Sequence, residues 1–85
     1  MNWQISIASA AQKQLKKINW QDAQKIEKVI DGMVCNPFVG DIQKMVGKED
    51  VWRRRVGSYR IFYKVNNDLL IIYILEIKRR TSNTY

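Results

Sequence analysis

Histidine is absent from the 85 residues, which removes the commonest acid–base side chain and the commonest metal ligand together. Cys35 is the single cysteine. It cannot form an intramolecular disulfide, and one thiol with no histidine does not make a zinc site. No apolar run is long enough to cross a bilayer: the longest, Leu69 to Leu75, falls far short of the roughly 20 residues required. The opening Met1-Asn2-Trp3-Gln4-Ile5-Ser6 has no basic segment followed by an apolar core, so no signal peptide is expected. These absences predict a soluble, cytoplasmic protein with no membrane contact, no metal and no cofactor. Acids are also scarce: 8 Asp and Glu against 15 Lys and Arg leave a net charge of +7. Such a surplus raises affinity for polyanions and is silent about fold.

A chain of this length fills one core, so residues 1–85 are read as a single domain. Hydrophobic residues at 46% suffice for that core, and 27% charged residues do not point to disorder. Trp3, Ile5 and Ile7 alternate with polar residues and predict a short strand. Ser9 is placed as the cap of a helix carrying Ala11, Leu15 and Ile18 on one stripe and ending near Asn19. A second helix follows Trp20, with Ala23, Ile26, Val29 or Ile30, and Met33 as its stripe, Asp22 in its first turn and Asn36-Pro37 as its stop. Residues 38–50 form a connector in which Ile42 to Met45 offer an optional short strand. Strands are then predicted over Val51–Val56, Tyr59–Val65 and Leu69–Ile77, with turns at Gly57-Ser58 and Asn66-Asn67-Asp68. The expected class is α+β, in the order β-α-α-β-β-β with an optional fourth late strand. A helical hairpin covers one face of a small, mainly antiparallel sheet.

Period two sorts the basic residues by face. Trp52 and Val56 share one side; Arg53 and Arg55 take the other and point to solvent if the helices cover Trp52. Arg54 falls on the Trp52 side, which requires either snorkelling at a sheet edge or a bulge. Arg60 shares a face with Phe62. Lys78, Arg79 and Arg80 end the last strand. These groups can converge, and guanidinium forks suit phosphate and base stacking. A lone arginine run on a strand more often makes a solvated face or a protected edge. The second basic cluster and the overall charge favour RNA binding, with Arg54, Tyr59 and Lys78 as contacts beside the arginines. Tyr63 and Tyr73 read as packing residues, Trp3 and Trp52 as core, and Trp20 as a contact within the helical hairpin.

The stretch Asp50-Val51-Trp52-Arg53-Arg54-Arg55-Val56-Gly57-Ser58-Tyr59-Arg60-Ile61-Phe62-Tyr63 resembles the central signature of the RelE/ParE toxin superfamily. The ending Ile74 to Tyr85 is similar to the family's last strand and tail, so the resemblance covers almost the whole chain. It implies the toxin of a bacterial type II toxin–antitoxin module with a RelE-like fold. The RelE branch, favoured here, implies a ribosome-dependent, metal-independent endoribonuclease that cuts messenger RNA in the A site and arrests translation. The ParE branch implies a non-enzymatic inhibitor of DNA gyrase. The implied catalytic set is Arg53, Arg55, Arg60, Arg79 or Arg80, and Tyr85. Some RelE toxins carry lysines at the positions of Arg53 and Arg55, and the position of Arg54 is commonly apolar in the family. The implied partners are message in the ribosomal A site and a cognate antitoxin whose acidic segment wraps the toxin. Operator DNA would be reached only through that antitoxin.

Cleavage by the neighbouring 2′-OH needs a base, an acid for the leaving oxygen and stabilisation of charge on phosphorus. The arginines supply the last. Arginine does not deprotonate in proteins, so the expected base is Tyr85, with its pKa lowered by nearby arginines. Arg79, Arg80 or Arg60 would serve the leaving group, and Glu76 is expected to pair with one of the arginines. A plain nucleic-acid-binding module is the third reading; it predicts steep salt dependence and no growth arrest.

Overall fold

Asn19 is what divides the helical half. Its side chain accepts from the backbone of Asp22 at 2.9 Å and donates back to the Asp22 carboxylate at 2.8 Å, a reciprocal cap. In the computed structural model residues 2–79 are described. They form β1 (Gln4–Ile7), α1 (Ser9–Lys17), α2 (Trp20–Gly32), β2 (Ile42–Lys44), β3 (Val51–Val56), β4 (Tyr59–Asn66) and β5 (Ile71–Arg79). The α+β order is the expected one, including the short strand in the connector.

The sheet runs β1-β5-β4-β3-β2. Every pairing is antiparallel except β1 with β5, where Gln4 lies opposite Ile71 in parallel register. β1 pairs only as far as Ile74, and past that point the Gln14 side chain of α1 accepts from Ile77 N at 2.6 Å. A helix residue thus satisfies a strand donor that β1 is too short to reach. The helices pack on one face. Ala11, Ile26, Ile30 and Met33 meet Ile61, Tyr63, Val65, Ile72, Ile74 and Ile77 in one buried cluster. Trp3 and Trp52 flank it as expected, joined through Phe38 by edge-to-face contacts at 6.2 and 5.2 Å. Among the described residues no helix is long and apolar enough to cross a membrane.

Four local expectations are corrected. Ser9 is not the cap of α1: Ala8 occupies that position without a side-chain bond, and Ser9 is already helical. α2 ends at Gly32, before Asn36-Pro37, because tight turns from Val34 to Asp31 and Cys35 to Gly32 replace the helical ladder. Pro37 is instead buried, and its carbonyl accepts from the Tyr63 hydroxyl at 2.6 Å. β5 starts at Ile71 rather than Leu69. Asn66 accepts from Leu69 N at 2.9 Å and Leu70 has φ 55°, so the turn runs two residues longer than composition suggested. Trp20 is 71% exposed and is no hairpin contact, since the first residue of α2 faces away from the sheet.

Candidate nucleic-acid interface

The two-residue turn at Gly57-Ser58 sets the register on which the site depends. Gly57 has φ 57°, a conformation that costs glycine little. Val56 then lies opposite Tyr59, Arg55 opposite Arg60, Arg54 opposite Ile61 and Arg53 opposite Phe62. Tyr59, Ile61 and Tyr63 are buried beneath the helices, so Arg53, Arg55, Arg60 and Phe62 share the helix-free face. β2 and β5 extend these positions into two rows across the sheet. Gln43, Arg53, Phe62 and Glu76 make one row; Arg55, Arg60 and Lys78 make the next. Neighbouring strands are about 5 Å apart, and opposed like charges at that spacing are destabilising. The fold nevertheless places three cations in succession in one row.

Arg53 is only 8% exposed. Its Nη2 donates to Gln43 Oε1 at 2.7 Å. Its Nη1 has no hydrogen-bond partner among the described residues, and the same is true of Arg55 Nε and Arg60 Nε. The Arg55 Nε is 3.7 Å from an Asp41 carboxylate oxygen, an ion pair too long for a hydrogen bond. Each open-face arginine therefore carries one N–H hidden from water with no hydrogen-bond partner among the described residues; a donor left wholly unanswered costs about 1–3 kcal/mol. All three arginines line one hollow of about 370 Å³. Converging cationic donors with no hydrogen-bond partner among the described residues are what an anionic oxygen cluster would complete.

The expected site residues divide between the two faces. Arg53, Arg55, Arg60 and Lys78 come together. Tyr59 does not join them: it is 8% exposed and belongs to the core, opposite Arg79. Arg79, at that register, belongs to the helix-bearing side of β5. Arg54 also stays on the helix face, as alternation required. No bulge is involved, since β3 and β4 pair without interruption and the register shift lies between β4 and β5. Arg54, flanked by Ile42 of β2 and Ile61 of β4, is not at a sheet edge either; its guanidinium reaches the connector, donating to Val39 O at 3.1 Å and Arg55 O at 3.3 Å. It lies flat on Gly40, where a Cβ would overlap its guanidinium. Glu76 pairs with Lys78 at 3.1 Å and with no arginine among the described residues. Arg80 and Tyr85 lie outside the described residues. Sequence reasoning missed Gln43, Asp41 and the apolar lining residues Met45 and Val46; their connector shows no period from which a face could be read. Phe62 had such a signal in its shared parity with Arg60.

A family described as the ParE toxin of the type II toxin–antitoxin system, parDE, matches residues 5–84. The chain belongs to this RelE/ParE toxin family. The toxin is 31% identical over 83 residues to a Methanocaldococcus jannaschii toxin named RelE1, covering 94% of this chain and 92% of that one. Its fold is similar to that in the archaeal RelE–RelB complex from Pyrococcus horikoshii, with a TM-score of 0.86 at 26% identity over 98% of this chain and 100% of the other. The isolated Escherichia coli RelE toxin matches with a TM-score of 0.82 over 95% of this chain and 87% of that one; at 14% identity it speaks for the fold alone. The α+β reading and the RelE-like architecture agree with these structures.

Proposed function

We infer that this toxin is a ribosome-dependent, metal-independent endoribonuclease that cleaves messenger RNA in the A site. The observation that carries the reading is the set of three buried donors, one each from Arg53, Arg55 and Arg60, that have no hydrogen-bond partner among the described residues. In such a reaction the 2′-oxygen bonds to phosphorus, the bond from phosphorus to the 5′-oxygen breaks, and a 2′,3′-cyclic phosphate and a 5′-hydroxyl result. Negative charge grows on the non-bridging oxygens, and donors fixed in advance stabilise it without reorganising. Removing one such donor costs roughly 10²–10³ in rate. Tyr85 is assigned the base on family resemblance. Arg79 belongs to the helix-bearing side, so stabilisation of the departing 5′-oxygen is assigned to Arg80 or Arg60, and solvent water supplies that oxygen's proton.

The relative from Pyrococcus horikoshii is a complex of RelE with RelB. By analogy this toxin takes a cognate antitoxin whose acidic segment covers the arginine row, and it meets operator DNA only through that antitoxin. Cytoplasmic action follows from a ribosomal target. The test is primer extension on ribosome-bound message: the wild type cuts within the A-site codon and Arg55→Ala reduces single-turnover cutting at least a hundredfold. No cut, or an equal cut by the variant, defeats the reading. The ParE description of the matched family favours a second reading, inhibition of DNA gyrase. A supercoiling assay in which the toxin blocks gyrase, and Arg55→Ala blocks it equally, would select that one.

A further inference from the structure

The arginine hollow has two chemically different halves. Arg53, Arg55 and Arg60 supply its cationic side; Phe62, Met45 and Val46 supply an apolar side. Phe62 sits in the middle of the helix-free face, half-buried, where a polar residue would be expected on a solvated sheet surface. Val46 is 94% exposed beside it, so these side chains do not close into a second core of their own. A phosphate alone would have no use for this wall. A nucleotide carries both an anionic phosphate and a flat apolar ring system, and the hollow falls in the roughly 300–1,000 Å³ range of small-ligand sites.

We propose that Phe62 is the stacking platform for one nucleobase of the bound RNA, whose phosphate rests on Arg53, Arg55 and Arg60. The proposal deepens the ribonuclease reading and rests on it for the identity of the polymer. Phe62 is the direct cross-strand neighbour of Arg53, so ring and guanidinium stand about 5 Å apart at their Cβ atoms. Arg53 is in turn fixed by Gln43 at 2.7 Å. The Lys78 ammonium lies over the ring, 6.0 Å from its centroid, at the outer reach of a cation–π contact. Lys78 is held there by Glu76, and its side chain is 61% exposed, so an arriving base displaces it at little cost and leaves it free to meet a phosphate. A base seated here makes Phe62 a specificity-determining residue: stacking accepts any base but favours the larger ring systems.

The purified toxin is titrated calorimetrically with inorganic phosphate, with a purine nucleoside 5′-monophosphate and with a short single-stranded ribo-oligonucleotide. The wild type is expected to bind the nucleotide more tightly than phosphate. Phe62→Leu should weaken nucleotide and oligonucleotide about tenfold while leaving phosphate unchanged, and Phe62→Tyr should restore both. Equal losses for phosphate and nucleotide, no loss for either, or no rescue by tyrosine would each overturn the proposal. Ring dependence with the mononucleotide but not with the oligonucleotide overturns RNA as the occupant. Should Phe62→Leu fail to fold, Phe62→Trp takes its place: nucleotide but not phosphate must quench its fluorescence beyond the wild-type change, and equal quenching refutes stacking. Primer extension on ribosome-bound message with the wild type separates the two readings. Absent cleavage with intact ring dependence removes the nuclease, whereas cleavage without ring dependence removes the stacking site.

Discussion

Replacing Arg53 by methionine should make the protein more stable and less able to bind its target. Arg53 is 8% exposed, with one hydrogen bond to Gln43 and an Nη1 that has no partner among the described residues. Removing the orphaned donor recovers about 1–3 kcal/mol, while losing the charged hydrogen bond costs about 1.5–3 kcal/mol. The loss falls at the low end because Gln43 is exposed and its amide returns to water. Methionine keeps a flexible apolar stem in the arginine's place. One of the closely spaced like charges also disappears. The expected balance is a gain of about 1 kcal/mol, which in a domain of this size raises Tm by roughly 4–8 °C. Thermal unfolding of both proteins, with and without inorganic phosphate, measures it. Phosphate should raise the wild-type Tm and raise that of Arg53→Met less, since a ligand stabilises only the state that binds it. A variant that melts at or below the wild type in phosphate-free buffer would refute the claim that Arg53 is held at a cost to the fold.

Tyr63→Phe tests the buried hydroxyl. Burial pushes the Tyr63 pKa from 10.0 to about 12, against the lowering pull of Arg54. Below pH 10 both folded and unfolded states hold the proton and this stabilisation is complete. As pH rises from 10 to 12 the unfolded state releases it first, and about 3 kcal/mol is lost. Urea titrations across that window should show the decline in the wild type and a shallower one in Tyr63→Phe; parallel declines contradict the assignment. Near neutral pH the same variant should lose about 1–2 kcal/mol through the orphaned Pro37 carbonyl. Gly40→Ala should destabilise by at least about 1–2 kcal/mol, because φ is 94° and the new Cβ meets the Arg54 guanidinium. In an Arg54→Ala background part of that penalty should vanish, and strict additivity of the two would show that the contact is immaterial. Asp41→Asn should shift stability by less than about 1 kcal/mol, as exposed pairs do, yet tighten phosphate binding by freeing Arg55. Unchanged phosphate affinity would mean that Asp41 does not compete for the site.

The hairpin of β3 and β4 was legible almost to the residue. A two-residue turn and strict alternation fix register locally, and parity alone separated Arg53 and Arg55 from Arg54. Parity also grouped Tyr59 with Ile61 and against Arg60. Treating the tyrosine as an RNA contact followed the ring's capacity to stack on bases instead, and the ring proved part of the core. The parallel pairing of β1 with β5 left no trace in either strand's own pattern, because a four-residue strand has no local partner to announce. The end of α2 and the start of β5 were misplaced for a related reason: turn bonds at Val34, Cys35 and Leu69 decide them, and each N–H chooses among nearby acceptors, backbone for Val34 and Cys35 and the Asn66 side chain for Leu69. Gln43 and Asp41 became visible as site residues only when β2 was seen against Arg53 and Arg54.

The tight turn at Gly57-Ser58 has a kinetic consequence. Arg53, Arg55 and Arg60 all lie on the one hairpin that it closes, whereas β1 must find β5 across nearly the whole described length. Short loops close early and distant pairings late, because closure entropy precedes the contacts that repay it. The charged row can therefore assemble while the far edge of the sheet is still open. A nascent or partly unfolded molecule would then already present most of its phosphate-binding chemistry, and any partner that suppresses it has to recognise a hairpin rather than wait for the finished domain.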